Sequence, residues 1–371
     1  MTDLRCPENC GDWQRRDGER GSNNRGDDDR RHVSRRAFLK ASTAGIASVS
    51  AWQAIPRIAA ARETAAAPRF TFMQLNDTHV QGTLAEKDDT PALQTYVRAN
   101  DKLAWWVDAV NREPRPSFVL GIGDLIHGGR LDRLPLDLEV FQKLMRPLRV
   151  PFYPNVGNHE VVQEEGNPLY ERAYRKAFGD QRVNYTFESG GLLFIMLNNS
   201  GAAVASPDVI HARNGWLHKV LKDNPTKRKI LGCHIPIIPL RQEPVLAKSF
   251  GFISYQAHDP ELLGLVDEHA DSIVAVLSGH LHLTGYVERR GVHHISVAGT
   301  ASYPSDYARY TVYDDRIEMQ VCQLPRELAM AHPSIHGKAN HPMDFTDRDH
   351  KTADEYQIGR SDERRLTIAL R

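Results

Sequence analysis

FTFMQLNDTH, residues 70–79, is the stretch whose reading decides the fold. An apolar run, Phe70–Leu75, reads as a strand and leads straight into a turn carrying Asp77 and His79. The same grammar recurs along the chain. Phe118–Ile122 leads to Gly123-Asp124, and Phe152–Val156 to Gly157-Asn158-His159-Glu160. Ile230–Cys233 leads to His234, and Ile273–Leu277 to Gly279-His280-Leu281-His282. Donors placed just past the carboxyl ends of neighbouring strands converge in layered α/β folds, because those strands open onto one rim. The donors are two Asp, one Asn and four His, with Cys233 beside His234 but outside the set. Oxygen and imidazole nitrogen suit Mn, Fe or Zn and argue against a thiolate structural zinc site.

Working outward, the strands alternate with helices and turns. Leu93, Val97, Ala104, Val107 and Val110 recur at helical spacing after Pro91, which suits a first helical turn; Pro114 and Pro116 end that helix. Further helices are expected near Leu136–Met145, near Pro168–Phe178 with Gly179 as cap, over Gly215–Lys222 and over Asp259–Ala270. Val183–Glu188 and Leu192–Leu197 flank Ser189-Gly190-Gly191 and read as a hairpin. Tyr286–Glu288, His294–Val297, Tyr310–Tyr313 and Ile317–Val321 are short strands that suggest an antiparallel second sheet. The fold class expected is α/β, a four-layer α/β/β/α sandwich of two mixed sheets. Gly128–Pro135 and the Pro-rich segment Pro236–Gly251 read as loops, the second a substrate wall. Residues 325–371 lose strand character and are expected to lie over the body as a polar tail.

The order D-x-H (Asp77–His79), G-D (Gly123-Asp124), G-N-H-E (Gly157–Glu160), His234 and G-H-x-H (Gly279–His282) resembles the calcineurin-like metallophosphoesterase superfamily. Any one piece occurs in unrelated proteins; five in this order, each after a strand, form the signal. The resemblance implies the same sandwich and two cation sites. Asp77, His79, Asp124 and His282 hold one; Asp124, Asn158, His234 and His280 hold the other, with Asp124 bridging. Two such cations about 3.5–4 Å apart clamp a phosphoryl group, and a bridging hydroxide attacks phosphorus without a phospho-enzyme. The neutral Asn158 leaves the site net positive for an anionic substrate. The family places His159 at the substrate, where it hydrogen-bonds phosphate and helps protonate the leaving oxygen, so it is the catalytic candidate. Glu160 reads either as a group orienting His159 or a ligand, or as a surface acid. His127 stands where purple acid phosphatases carry a Tyr ligand, and Asp77-Thr78-His79 where they carry D-x-G, so the chain departs from that subfamily twice. The D-x-H opening is similar to class III cyclic nucleotide phosphodiesterases, which usually have G-N-H-D where this chain has Glu160. Arg130, Tyr303 and Tyr307 lie near the motifs and are read as a surface Arg and packed Tyr residues.

The expected substrate is therefore a small-molecule phosphate mono- or diester. The competing reading is a catalytically silent scaffold of the same fold that binds a partner. Such scaffolds usually lack ligands, and none is missing here.

Ahead of this body, residues 1–33 are polar and nearly free of aliphatics; they are expected to be disordered, for want of apolar surface to offset ordering entropy. Ser34-Arg35-Arg36-Ala37-Phe38-Leu39-Lys40 resembles the twin-arginine export motif. The run Ala41–Ile55 is too short and too rich in Ser, Thr and Gly for a stable membrane span. Ala59–Ala61 and Ala65–Ala67 fit a signal-peptidase site. The expected organisation is a disordered region over 1–33 and a signal peptide over 34–67. A metallophosphoesterase domain follows over 68–324, then a tail over 325–371. Export implies the twin-arginine translocase as a partner and a periplasmic or extracellular destination, with a membrane tether where the signal stays uncleaved. Lys plus Arg (47) balance Asp plus Glu (47), so no basic field points to nucleic acid. Four Cys make no disulfide framework, and Cys233 and Cys322 read as buried thiols in preference to a bridge.

Overall fold

The computed structural model describes residues 67–82, 96, 98–112, 114–162, 171–250, 259–334 and 343–370. Residues 1–66, with the expected signal peptide, lie outside these, as do Leu93 and Val97. The strands are β1 (Phe70–Leu75), β2 (Phe118–Ile122), β3 (Phe152–Asn155), β4 (Tyr185–Ser189), β5 (Leu192–Met196) and β6 (Arg228–Gly232). They continue with β7 (Ile273–Ser278), β8 (Gly285–Arg289), β9 (Val292–Ser296), β10 (Asp306–Val312), β11 (Arg316–Gln323) and β12 (Arg365–Ala369). The helices are α1 (Ala99–Val110), α2 (Leu134–Met145), α3 (Arg172–Phe178), α4 (Ala202–Ala205) and α5 (Pro207–Asp223). After them come α6 (Glu243–Phe250), α7 (Pro260–Glu268), α8 (Ala353–Ile358) and α9 (Ser361–Arg364).

Two six-stranded sheets form, ordered β12-β11-β10-β1-β2-β3 and β4-β5-β6-β7-β9-β8. Both are mixed: β1-β2-β3 and β5-β6-β7-β9 run parallel, and the flanking pairs antiparallel. Alternation along β1 explains the layering, since successive side chains of a strand point to opposite faces. Phe70 and Phe72 enter the core between the sheets, whereas Met73 and Leu75 join the core beneath α1 and α2. Phe72 stacks on Tyr310 at 4.5 Å and on Phe118 at 5.3 Å, and meets Phe194 of the other sheet edge-on at 5.4 Å. Leu103, Trp106 and Phe141 cover the outer face of the first sheet. Leu217, Leu221, Leu262 and Val266 cover the outer face of the second. Helix, sheet, sheet, helix is the expected four-layer sandwich.

Several local readings change. The four late strands do not make a sheet of their own: β8 and β9 extend the second sheet, and β10 and β11 extend the first. A hairpin with one buried face can add to either open edge, and alternation alone does not say which. Helix α5 starts at Pro207 instead of Gly215. The Ser206-Pro207 pair is a start signal that the polar sequence after it hid. Helix α6 occupies the second half of the expected Pro236–Gly251 loop. The tail is not strandless, because β12 pairs antiparallel with β11, Ile317 facing Ile368, and closes the first sheet's edge. Cys233 is a buried free thiol, so no Cys233–Cys322 bridge forms, but Cys322, expected as a second thiol, is disulfide-bonded to a residue outside the described ones. No helix among the described residues is long and apolar enough to cross a membrane.

Candidate metal centre

Each of β1, β2, β3, β6 and β7 ends within a few residues of a donor, so the donors meet at one rim. The turns that carry them are unusual. Asp77, His79, Asp124, His280 and His282 all have positive φ, between 43° and 69°. Non-glycine residues avoid that region, and such outliers concentrate at functional sites where surrounding structure over-determines them.

Two sets of donors converge, each with atoms within 4.8 Å of one another: Asp77, His79, Asp124 and His282, and Asp124, His234 and His280. Asp124 belongs to both. In the first set His282 Nε2 lies 3.1 Å from His79 Nε2 and 3.2 Å from Asp77 Oδ1. In the second, His234 Nε2 lies 3.1 Å from Asp124 Oδ2 and 3.1 Å from Asn158 Oδ1. All seven residues expected as ligands are thus brought to one place. Asp77 and Asp124 are 0% and 1% exposed, and among the described residues their charged partners are histidines only. Buried carboxylates without a fixed cation are costly, so this donor set fits divalent ions. The imidazoles are prepared for that task. His234 Nδ1 donates to the Ile122 carbonyl at 2.8 Å, and the Ser302 hydroxyl meets His282 Nδ1, which leaves each Nε2 facing the pocket.

Charge follows the same geometry. Burial would raise both carboxyl groups, but His282 and His79 beside Asp77, and His234 and His159 beside Asp124, hold them well below the usual carboxylate range. Burial pulls His234 down, yet the Asp124 carboxylate wins and lifts it to about 9. His280 is pressed down to about 3 by burial and by His234. Without cations, then, a proton on His234 balances part of the buried negative charge, and a metal ion competes with it.

His159 lies half-buried at the mouth. Its Nδ1 donates to the His127 carbonyl, and its Nε2 stands 4.0 Å from Asp124 Oδ2. Glu160 is not a surface acid: it is fully buried. Its two oxygens accept from the backbone N–H groups of Gly157, Asp124, Leu125 and Ile126, at 2.6 to 3.1 Å. It therefore ties the loop after β2 to the loop after β3. Burial and the Asp124 charge push its acid up to about 8, against the pull of His234 and those N–H donors. Glycine at 157 is what allows the approach, because a Cβ there would sit 2.1 Å from the Asp124 nitrogen.

Sequence reasoning missed three supports. Asn199 accepts from Ile235 N–H at 3.0 Å and donates to the Ile235 carbonyl at 2.6 Å, bracing the residue after His234. Asn76 donates to Asp77 Oδ2 at 2.5 Å and to the carbonyl of Val297, the residue after β9. Tyr96 stacks on His79 with centroids 3.8 Å apart. No motif marks them; only Asn76 had a signal, its place beside Asp77. His127 joins His79 and His159 in a third convergent set, and its Nδ1 is buried without a hydrogen-bond partner among the described residues. Arg130 is exposed on Asp132, Tyr303 bonds Asp354, and Tyr307 packs on Trp106, so all three stay outside the site.

A two-sheet sandwich with carboxylates and imidazoles at the carboxyl ends of its strands is the build of a metallohydrolase. The calcineurin-like phosphoesterase family matches residues 70–283 of the 371, and the chain belongs to it; it is a metal-dependent phosphoric ester hydrolase. Among curated proteins it is 20% identical over 249 residues to a probable cyclic nucleotide phosphodiesterase of Psychrobacter arcticus, covering 66% of this chain and 85% of that protein. It is 23% identical over 214 residues to a probable glycerophosphodiester phosphodiesterase GpdQ of Arcobacter nitrofigilis, covering 57% and 71%. Among solved structures, a dimetal phosphatase from Danio rerio superposes with a TM-score of 0.53 at 19% identity, covering 69% of this chain and 97% of that one. At that identity the likeness is one of fold.

Proposed function

We propose that the chain is an exported dinuclear phosphoesterase, similar to cyclic nucleotide phosphodiesterases, that hydrolyses small phosphate mono- or diesters. The observation that carries the reading is Asp124, whose carboxylate is common to both convergent donor sets. The D-x-H opening and two relatives named as phosphodiesterases support the diester side. Against the silent-scaffold reading stands the convergence of these donors.

Asp77, His79, Asp124 and His282 would hold one divalent ion, and Asp124, Asn158, His234 and His280 the other. Such ions, Mn, Fe or Zn, supply charge against the phosphoryl oxygens and acidify water near neutral pH. The remaining work falls to the chain. The Ile122 carbonyl and Ser302 fix imidazole orientation, and Glu160 fixes the spacing of the Asp124 and Asn158 loops. His159 has Nδ1–H committed to a carbonyl, so Nε2 is the atom that meets substrate. Protonated there, it hydrogen-bonds a phosphoryl oxygen and delivers its proton to the leaving oxygen.

The test is metal content and turnover measured together on the full chain supplied with Mn, using p-nitrophenyl phosphate and its bis ester. Asp124→Asn should lose both metal and activity; full activity in that variant ends the reading. Export is tested by cell fractionation of a chain carrying Arg35→Lys and Arg36→Lys. Unchanged export of that variant rules out the twin-arginine route, and a wild-type chain confined to the cytoplasmic fraction rules out the periplasmic or extracellular destination.

A further inference from the structure

Gln357 lies on α8, seventy-five residues beyond His282 and outside the segment the family matches. Its side-chain Nε2 donates to the His282 carbonyl at 3.1 Å, and its own carbonyl accepts from Thr284 N–H at 2.9 Å. A single residue of the C-terminal segment therefore brackets the backbone of residues 282–284, as a neighbouring strand would. It is 1% exposed. Arg241 closes the same turn from the opposite side, donating to the Thr284 carbonyl at 2.5 Å, to the Tyr356 carbonyl and to Glu363. Gly359 comes so near that a Cβ would lie 2.8 Å from the Thr284 oxygen. The Thr284 hydroxyl reaches Asp306, which Arg364 of α9 grips with both terminal nitrogens.

His282 has cause to need this hold. Its φ is 50°, a conformation a histidine keeps only when its surroundings impose it. Three of the other expected ligands draw their support from elsewhere. His234 is fixed by the Ile122 carbonyl and its loop by Asn199; Asp124 is fixed through Glu160, and Asp77 by Asn76 and the His280 N–H. Among the described residues, His282 thus has an outer contact from the C-terminal segment, whereas the contacts of His234, Asp124 and Asp77 named here come from elsewhere.

We propose that Gln357 is a positioning residue for His282, which makes residues 353–364 part of the first cation site although they lie outside the family domain. This rests on the dinuclear reading above. Outer contacts of a metal ligand commonly tune affinity by about 10–100-fold. Gln357→Leu removes the donor at similar volume, and Gln357→Glu keeps the shape while turning an acceptor on the His282 carbonyl. Arg348→Ala, an exposed change in the same segment, serves as control.

Metal-free full-length protein is dialysed against Mn²⁺. Bound metal is counted by elemental analysis, and coupling of the Mn pair is read by electron paramagnetic resonance. Unfolding in chelator is followed in parallel. The wild type and Arg348→Ala should take up two Mn and give a coupled spectrum. Both Gln357 variants should keep one site and weaken the other by about 10–100-fold, giving an isolated-Mn spectrum at low metal. Unchanged binding, or equal weakening of both sites in step with a drop in stability, overturns the positioning role and leaves only a structural one. A wild type that binds no metal overturns the dinuclear reading itself.

Discussion

Replacing Asn199 tests whether the brace behind His234 carries free energy or is incidental contact. The side chain is fully buried and makes two bonds to one residue, its oxygen to Ile235 N–H and its nitrogen to the Ile235 carbonyl. A truncated side chain strands a donor and an acceptor in the interior. Each unpaired buried group costs about 1–3 kcal/mol, so the pair costs about 2–6 kcal/mol, a large part of a total stability of about 5–15 kcal/mol. Two substitutions separate the bonds from the volume. Asn199→Ala opens a space lined by polar backbone, which a water can fill and partly repair, so its loss should fall at the low end. Asn199→Leu fills the space and excludes that water, so its loss should fall at the high end. Urea unfolding of the metal-free proteins in chelator gives both values, and Mn dialysis should show weaker binding at the site containing His234. The reasoning is wrong if Leu proves milder than Ala. It is also wrong if both lie within about 0.5 kcal/mol of the wild type, the range of an ordinary surface substitution.

Three further outcomes are expected. His159→Ala should keep its metal and lose turnover by about 10²–10⁴-fold, the usual worth of a positioned acid; metal loss in that variant would move His159 into the ligand set. Cys233 is fully buried, and burial pushes its thiol up to about 12, so it should resist a disulfide reagent in the native protein and react at once after unfolding. Lys102 is buried with its ammonium on the Ala301 carbonyl, and burial, then Arg98, lowers it from 10.5 to about 8. Between those values the unfolded chain holds the proton that the folded chain releases, so stability rises with pH. Relative to Lys102→Met the gain should reach on the order of 3 kcal/mol by pH 10.5, and parallel unfolding curves for the two proteins would contradict it.

What the sequence revealed and what it hid divide along the reach of the interactions. Strand β1 and its turn were legible because alternation and donor sit within ten residues, FTFMQLNDTH. Helix α1 showed in its spacing. The partition of β8 to β11 between two sheets was not legible, since it depends on which edge Val292–Ser296 and Asp306–Val312 find, a choice made by residues far away in the chain. Strand β12 did carry a local sign, the alternation Leu366, Ile368, Leu370, but it was overwhelmed by the charged Asp362–Arg365 before it. In the site, the seven donors were readable because chemistry limits which residue types can serve. Glu160 was ambiguous because its partners are backbone N–H groups, which every sequence has. Asn199 and Gln357 were invisible for the same reason: each bonds main chain, so neither has a complementary side chain to betray it.

That distinction bears on how the centre is built. Five of the seven donors sit on backbones in the left-handed region, where a histidine or aspartate is held against its own preference. A turn of this kind does not keep its shape through its own sequence. It keeps it because Glu160 and Gln357 reach in from other segments to bond peptide groups at Asp124 and His282, and Asn76 bonds the carboxylate of its neighbour Asp77. Motif residues alone, transplanted onto loops without those amide and carboxylate contacts, would relax toward ordinary backbone conformations and spread the donors apart. The identity of the motif and the geometry of the motif are thus specified by overlapping sets: Glu160 belongs to both, whereas Asn76 and Gln357 lie outside the pattern that the sequence displays.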